Sequence, residues 1–188
     1  MTLTPSTDLS VAQRRTIAVA LELFARHGVG GTSLQMIADE LGVTKAAVYH
    51  QFKTKDEIVL AAGEAELAQL LPIIEAAEAQ RSVRKQRQEL LAGMVDLAVD
   101  SRRTVRSMLG DPALIDFFNH NEFFRDVMRR LRHLLVGDDH TPEARVRPAM
   151  LIAAISGAVI HPFVADVDDD VLREELLRLG RRFLGLPG

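Results

Sequence analysis

The chain has 188 residues, no cysteine and a formal net charge of -3 at pH 7. This length is sufficient for a buried core in one or two domains, and the absence of cysteine excludes disulfide scaffolds and cysteine-ligated zinc sites. No segment resembles a signal peptide, and the longest apolar stretch, residues 148–159, is too short to span a membrane. We therefore expect a cytoplasmic protein that does not associate with a membrane.

The charge is unevenly distributed along the chain. Residues 1–55 carry six Lys or Arg and four Asp or Glu, whereas residues 56–188 carry 17 and 22, so the net charges are +2 and -5. A mildly basic N-terminal segment followed by an acidic remainder suits a protein in which only the first segment contacts phosphate groups.

The first predicted element is an amphipathic helix over residues 11–28. Ser10 and Gln13 have the spacing of a capping box at its start, and Gly28 is suited to its end. Apolar residues recur with a helical period between these two points, which predicts one buried face.

Residues 33–52 predict two short helices joined by a turn at Gly42. Thr32 and Gln35 have capping-box spacing before the first of these helices, and Thr44 is a favourable N-cap for the second. This arrangement is the helix-turn-helix pattern, in which the second helix enters the major groove of DNA.

The second helix of this pair has one apolar and one polar face. Val48 and Phe52 lie four residues apart and anchor it to the first helix, so its polar residues lie on the other face. Another helix begins after Thr54, which has capping-box spacing with Glu57. The motif alone leaves open a helical hairpin with a solvated polar face.

The run RRTIAVALELFARHG, followed by GTSLQMIADELGVTKAAVYHQFKTKDEI, resembles the N-terminal DNA-binding domain of the tetracycline-repressor (TetR) family of bacterial regulators. The resemblance covers about the first third of the chain, and the combined pattern is more specific than a single helix-turn-helix. It implies an N-terminal arm over residues 1–10, a DNA-binding domain over 11–56 and a helical regulatory domain over 57–188.

The resemblance also implies DNA contacts, residue by residue. Lys55 is expected to bind phosphate at a helix start, Lys45 to read guanine, and Ala46 and Ala47 to contact thymine methyl groups. The predicted recognition helix contains no arginine, which favours readout of DNA shape. The expected DNA contacts are Thr32, Ser33, Gln35, Thr44, Lys45, Ala46, Ala47, Tyr49, His50, Lys53 and Lys55.

The chain beyond residue 55 predicts helices and no strand. Pro72 should kink or restart a helical segment over residues 56–80, because proline removes a backbone donor. The other expected helices cover residues 83–109, 111–118, 123–136, 142–160 and 171–184. The expected fold is all-α with nine or ten helices: a three-helix DNA-binding domain followed by a ligand-binding and dimerisation domain.

The last two long helices, within residues 142–184, have apolar faces that suit close packing. They could complete the core of one subunit or form a symmetric four-helix interface between two subunits, and the resemblance favours the interface. The expected interface residues are Leu151, Ile155, Val159, Leu172, Leu176, Leu179 and Phe183.

By the same resemblance, the middle helices would hold a small-molecule effector that lowers affinity for DNA. Apolar walls and a few polar groups are typical of such pockets, although ordinary core packing stays open for each candidate. The candidates are Met94, Leu97, Met108, Phe117, Phe118, His120, Phe124 and His161.

The sequence thus predicts a repressor that binds a palindromic operator as a homodimer and is released by a small molecule. One alternative is a DNA-binding dimer that is controlled by a protein partner or is unregulated. The other is a helical metallohydrolase, but the chain lacks the His and carboxylate spacing of helical metal sites, so we expect no enzyme, metal or cofactor. The residues available for that alternative are Asp96, Asp100, His120, His133 and His161.

Overall fold

The computed structural model describes residues 9–102 and 122–187, which form α-helices and one 3₁₀ turn without a strand in these two ranges. The helices are α1 (Val11–Gly31), α2 (Leu34–Leu41), α3 (Lys45–Gln51), α4 (Lys55–Ala68), α5 (Leu70–Glu78), α6 (Val83–Asp100), α7 (Glu122–Val136), α8 (Pro142–Ala158) and α9 (Asp169–Leu184), with the 3₁₀ turn at Pro162–Val164. The expectation of an all-α fold is confirmed. None of these helices is long and apolar enough to cross a membrane.

The first compact unit comprises α1 to α4 and extends to Ala68. Its core is a single cluster of apolar side chains from all four helices, in which Ile58 and Val59 of α4 are fully buried. Because α4 contributes to this core, the unit extends beyond residue 56, the expected end of the DNA-binding domain. The larger buried side chains of the other three helices are Ile17, Leu23, Phe24, Ile37, Leu41 and Val48.

The start and the break of α1 follow local signals in the sequence. The Ser10 hydroxyl accepts a hydrogen bond from the Gln13 N–H at 3.2 Å, and the Gln13 side chain accepts one from the Ser10 N–H at 3.0 Å, so the capping box is confirmed. Gly28 has φ +73°, a conformation that L side chains rarely adopt, and it interrupts the helical backbone three residues before α1 ends.

The second compact unit begins at Gln69, and glycines allow its helices to approach closely. A Cβ atom on Gly93 of α6 would lie 2.4 Å from Cγ2 of Ile73 on α5. A Cβ atom on Gly180 of α9 would lie 2.6 Å from Cδ1 of Leu91 on α6. Both distances are shorter than a van der Waals contact, so α6 packs tightly against α5 and against α9.

Arginine side chains add ionic links within this unit. Arg173 of α9 lies 2.9 Å from a carboxylate oxygen of Asp96 and 2.9 Å from one of Asp100, both on α6. Arg130 of α7 donates two hydrogen bonds to the Glu78 carboxylate of α5, at 2.9 and 2.8 Å, and these hold the pKa of Glu78 below its ordinary value. These links are partly exposed and therefore contribute less stability than the packed core.

One expected helix ends well before its expected bound, and another segment restarts at its proline. The helix expected over residues 83–109 ends at Asp100, because the Ser101 backbone leaves the helical region at φ -90° and ψ 5°; no glycine or proline marks this end. The segment containing Pro72 restarts as expected, with the break at Gln69 and Pro72 in the first turn of α5, where its missing N–H costs little. The helix expected over 111–118 lies outside the described residues.

Gly93→Ala should lower the free energy of unfolding by about 1–3 kcal/mol, because the added methyl group would overlap the Ile73 side chain. The same substitution in an Ile73→Ala background should cost much less, since the overlapping γ-carbons are then absent. Thermal or urea unfolding of the four proteins measures this coupling. An equal cost in both backgrounds would contradict the close approach of α5 and α6.

Candidate nucleic-acid interface

The turn between α2 and α3 is fixed by two caps and one glycine. The Ser33 hydroxyl accepts the Met36 N–H at 3.2 Å, and the Thr44 hydroxyl accepts the Ala47 N–H at 3.2 Å. Gly42 lies between the two helices in the left-handed conformation, at φ +67° and ψ +33°. Local chemistry therefore specifies where α2 begins, where it ends and where α3 begins.

One face of α3 is anchored in the core and the other is exposed. Val48 is fully buried and Phe52, directly after α3, is 5% exposed, as expected from their spacing. The opposite face presents a polar and small-residue surface, in which Tyr49 is 52% exposed. The exposed residues of this surface are Thr44, Lys45, Ala46, Ala47, Tyr49 and His50, and all six were expected to contact DNA.

Lys53 adds positive charge at the C-terminal end of this surface. Its ammonium donates a hydrogen bond to the Tyr49 carbonyl at 2.9 Å and lies 4.6 Å from the centroid of the Tyr49 ring. The cation is thus held beside the phenol by a hydrogen bond and a cation–π contact. A phosphate group approaching Tyr49 would meet a positive charge already in place.

The prediction that Thr32 contacts DNA is wrong. Thr32 is only 2% exposed, and its hydroxyl donates to the Gly28 carbonyl at 2.8 Å. This hydrogen bond gives the carbonyl a partner at the point where Gly28 interrupts α1. Ser33, the next residue, is the N-cap of α2 and remains exposed. Two adjacent hydroxyl residues have similar capping propensities, and the path of the chain after Gly28 buries the first of them.

Lys55 and Gln35 are hydrogen-bonded inside the unit. The Lys55 ammonium donates to the Val29 carbonyl at 2.7 Å and to the Gly30 carbonyl at 3.3 Å, so it links the start of α4 to the last turn of α1. The Gln35 amide donates to the Asp39 carboxylate at 2.7 Å. Lys55, which was expected to bind phosphate, thus also has a structural role within the unit.

Sequence reasoning missed a contact between α1 and the end of α3. The buried Thr16 hydroxyl donates to the Gln51 side-chain oxygen at 3.0 Å. The available signal was a polar residue on the buried face of α1, directly before Ile17.

Four of the expected dimer-interface residues are buried within their own subunit. Leu151, Ile155, Val159 and Leu172 are 2–4% exposed, so the prediction that they face a partner is wrong. The sequence of α8 is apolar around most of its circumference, and periodicity could not select the inward face. Of the others, Leu176 is half-buried, and Leu179 and Phe183 are 51% and 37% exposed.

A different face of α8 is apolar and open to solvent. Val146 and Met150 are 54% and 56% exposed, and with their neighbours they line a shallow open groove of about 560 Å³. The groove is lined by Pro142, Arg145, Val146, Ala149, Met150 and Ala153.

The expected effector residues that the structure describes differ in exposure. Met94 is 7% exposed in the core, whereas Leu97 and Phe124 are half-buried. His161 is exposed, and its Nδ1 accepts the Phe163 N–H at 3.2 Å, so it caps the 3₁₀ turn. Met108, Phe117, Phe118 and His120 lie outside the described residues.

The residues of the metallohydrolase alternative have other partners. Asp96 and Asp100 both bind Arg173, and the Nδ1 of His133 lies 3.3 Å from a carboxylate oxygen of Asp138. Within residues 9–102 and 122–187, no group of three His, Asp or Glu side chains could hold a metal ion.

Lys55→Met should lower the free energy of unfolding by about 1–2 kcal/mol, because it removes charged hydrogen bonds to the end of α1 but keeps an apolar stem. Lys45→Met is the matched control: Lys45 is exposed and its ammonium has no hydrogen-bond acceptor in the described part of the chain. We expect the control to change stability by less than about 0.5 kcal/mol. Equal stability of the two variants would remove the structural role of Lys55.

Comparison with known proteins finds bacterial transcriptional regulators that are similar to part of this chain. The family model described as bacterial regulatory proteins, tetR family, matches residues 17–62. The uncharacterised HTH-type regulator YerO of Bacillus subtilis is 40% identical over 52 residues, and the HTH-type repressor AcnR of Corynebacterium diphtheriae is 24% identical over 74 residues. These matches cover 28% and 39% of this chain but only 18% and 39% of the two relatives.

Solved structures share the fold over nearly the whole chain. The regulator FadR of Bacillus subtilis, solved in complex with stearoyl-CoA, has a TM-score of 0.70 at 17% identity, covering 89% of this chain and 96% of that one. Residues 17–62 therefore match the TetR family of bacterial regulatory proteins, and solved members of that family share the fold.

Proposed function

We propose that the protein is a transcriptional repressor that binds a palindromic operator as a homodimer and is released by a small molecule. The observation that carries this proposal is the exposed face of α3. Val48 and Phe52 anchor the opposite face in the core, and the hydroxyl groups of Ser33 and Thr44 cap α2 and α3. Regulators of the TetR family are DNA-binding transcription factors and not enzymes. Binding to the chromosome would require the protein to act in the cytoplasm.

Within this surface, we assign base reading to Lys45 and its neighbours. Lys45 has no hydrogen-bond acceptor in the described ranges, so its ammonium is available for guanine O6 and N7. Ala46 and Ala47 would contact thymine methyl groups. Contacts to the DNA backbone would come from Ser33, Thr44, Tyr49, His50 and Lys53, with weaker contributions from Gln35 and Lys55.

The exposed apolar face of α8 supports the dimer. Val146, Met150 and the neighbouring alanines leave a contiguous apolar strip on a helix whose other face is buried. Leu179 and Phe183 leave a second exposed strip on α9. A second copy of the chain would cover these strips, and a symmetric pair would present two recognition helices to half-sites about 34–36 Å apart.

The middle helices would respond to an apolar or partly apolar small molecule. The fold likeness to a regulator solved with stearoyl-CoA supports this assignment, together with the apolar character of Met94, Leu97 and Phe124. Control by a protein partner is the alternative. A small molecule that fills a pocket raises the unfolding temperature of the isolated protein. Under the alternative, no small molecule does so, and the partner protein must be added to change DNA binding.

Selection of bound duplexes from a random pool should yield two inverted half-sites whose centres lie about one helical turn apart. Val146→Glu would place a charge on the apolar strip of α8, so this variant should be monomeric and should bind the selected duplex about 100-fold more weakly. Sedimentation and equilibrium binding measure the two effects.

Val83→Glu is the matched control, because Val83 is 56% exposed on α6 and lies outside the proposed interface. This control should remain dimeric and bind like the wild type. A dimeric Val146→Glu variant would contradict the assignment of the interface, and recovery of no shared sequence from the pool would contradict operator binding.

A further inference from the structure

Gln51 ends the recognition helix α3, and its side-chain amide is engaged within the DNA-binding unit. Its oxygen accepts the hydrogen bond from the Thr16 hydroxyl of α1 at 3.0 Å, and its nitrogen donates to the Ala47 carbonyl at 3.4 Å. The amide therefore links α3 to α1 through two residues that are 35 positions apart in the chain. Both polar ends of the side chain have partners in the absence of DNA.

Thr16 is an unusual residue for its position. It is 1% exposed, and only Thr32 is a comparably buried polar or charged residue in the described part of the chain. A buried hydroxyl requires a hydrogen-bond partner, and Gln51 supplies one. Hydrogen bonds between such groups have a preferred length and direction, and they fix the relative orientation of the elements that they join.

The other contacts of α3 constrain its orientation less strictly. Val48 and Phe52 hold the helix by apolar burial, which depends on contact area and has little directional preference. A rotation of this seven-residue helix by a few degrees would keep Val48 and Phe52 buried, and the exposed Lys45 would move with it. Base recognition tolerates displacements of only about 0.5 Å or 10–20°.

We propose that Thr16 and Gln51 are a positioning pair that sets the orientation of α3 and thereby the discrimination between DNA sequences, without contacting DNA. The inference rests on the proposed operator binding. It assigns Gln51 a role inside the protein, at a position next to the exposed Tyr49 and His50, where a polar side chain would otherwise suggest a DNA contact.

The test compares Thr16→Val, Thr16→Ser and Gln51→Met with the wild type. Valine has nearly the shape of threonine but no hydroxyl, serine keeps the hydroxyl, and methionine removes the acceptor from the partly exposed partner. Each protein is titrated with the duplex selected by the wild type and with a scrambled duplex of the same length at the same salt concentration. The quantity compared is the dissociation constant for the scrambled duplex divided by that for the selected duplex.

Thr16→Val and Gln51→Met should each lower this ratio by about five- to tenfold, the size typical of one hydrogen bond. Binding to the scrambled duplex should not change, because no phosphate contact is lost. The double variant should lose no more than either single variant, since the two side chains act through one bond, and Thr16→Ser should retain the wild-type ratio.

A purely structural role would lower stability or weaken binding to both duplexes alike, and either result with an unchanged ratio would overturn the positioning pair. If Thr16→Val does not fold, the ratio for Gln51→Met decides the question alone. If Thr16→Val and Gln51→Met both discriminate between the duplexes as well as the wild type does, this inference is overturned and operator binding stays intact. A wild type that does not discriminate would overturn both.

Discussion

The burial of Val48 and Phe52 is the interaction on which the arrangement of the DNA-binding unit depends. A helix of seven residues is too short to be stable alone, so α3 exists because its apolar side packs onto the core formed with α1, α2 and α4. The caps at Ser33 and Thr44 then define how the chain enters each of the two short helices. The exposed surface of α3 is a consequence of this packing, since the face opposite Val48 is left open to solvent.

Two lysines near the recognition helix are engaged in hydrogen bonds within the unit. Lys53 and Lys55 both donate to backbone carbonyls near helix ends, where the helix dipole favours a cation. These lysines therefore stabilise the unit before any DNA is present. Lys45 differs from them because its ammonium has no hydrogen-bond partner among the described residues, which makes it the cation of this surface best suited to a base contact.

The sequence predicted those features that depend on neighbouring residues. The caps at Ser10 and Thr44, the turn at Gly42 and the buried pair Val48 and Phe52 all have local causes, and the structure confirms each of them. The sequence did not predict the burial of Thr32, the hydrogen bonds of Lys55 or the inward face of α8, because these depend on which distant segment packs against them. Apolar residues surround most of α8, so only tertiary packing could show that Leu151 faces inward and Val146 outward.

The proposed function requires that the face of α3 containing Tyr49 contacts DNA. Tyr49 is the only tyrosine of the chain and there is no tryptophan, so the intrinsic emission of the unmodified protein reports on this position alone. We predict that a duplex carrying the selected operator changes the emission intensity of Tyr49 and raises its anisotropy at low ionic strength. Unchanged emission and anisotropy at a saturating concentration of that duplex would contradict the account.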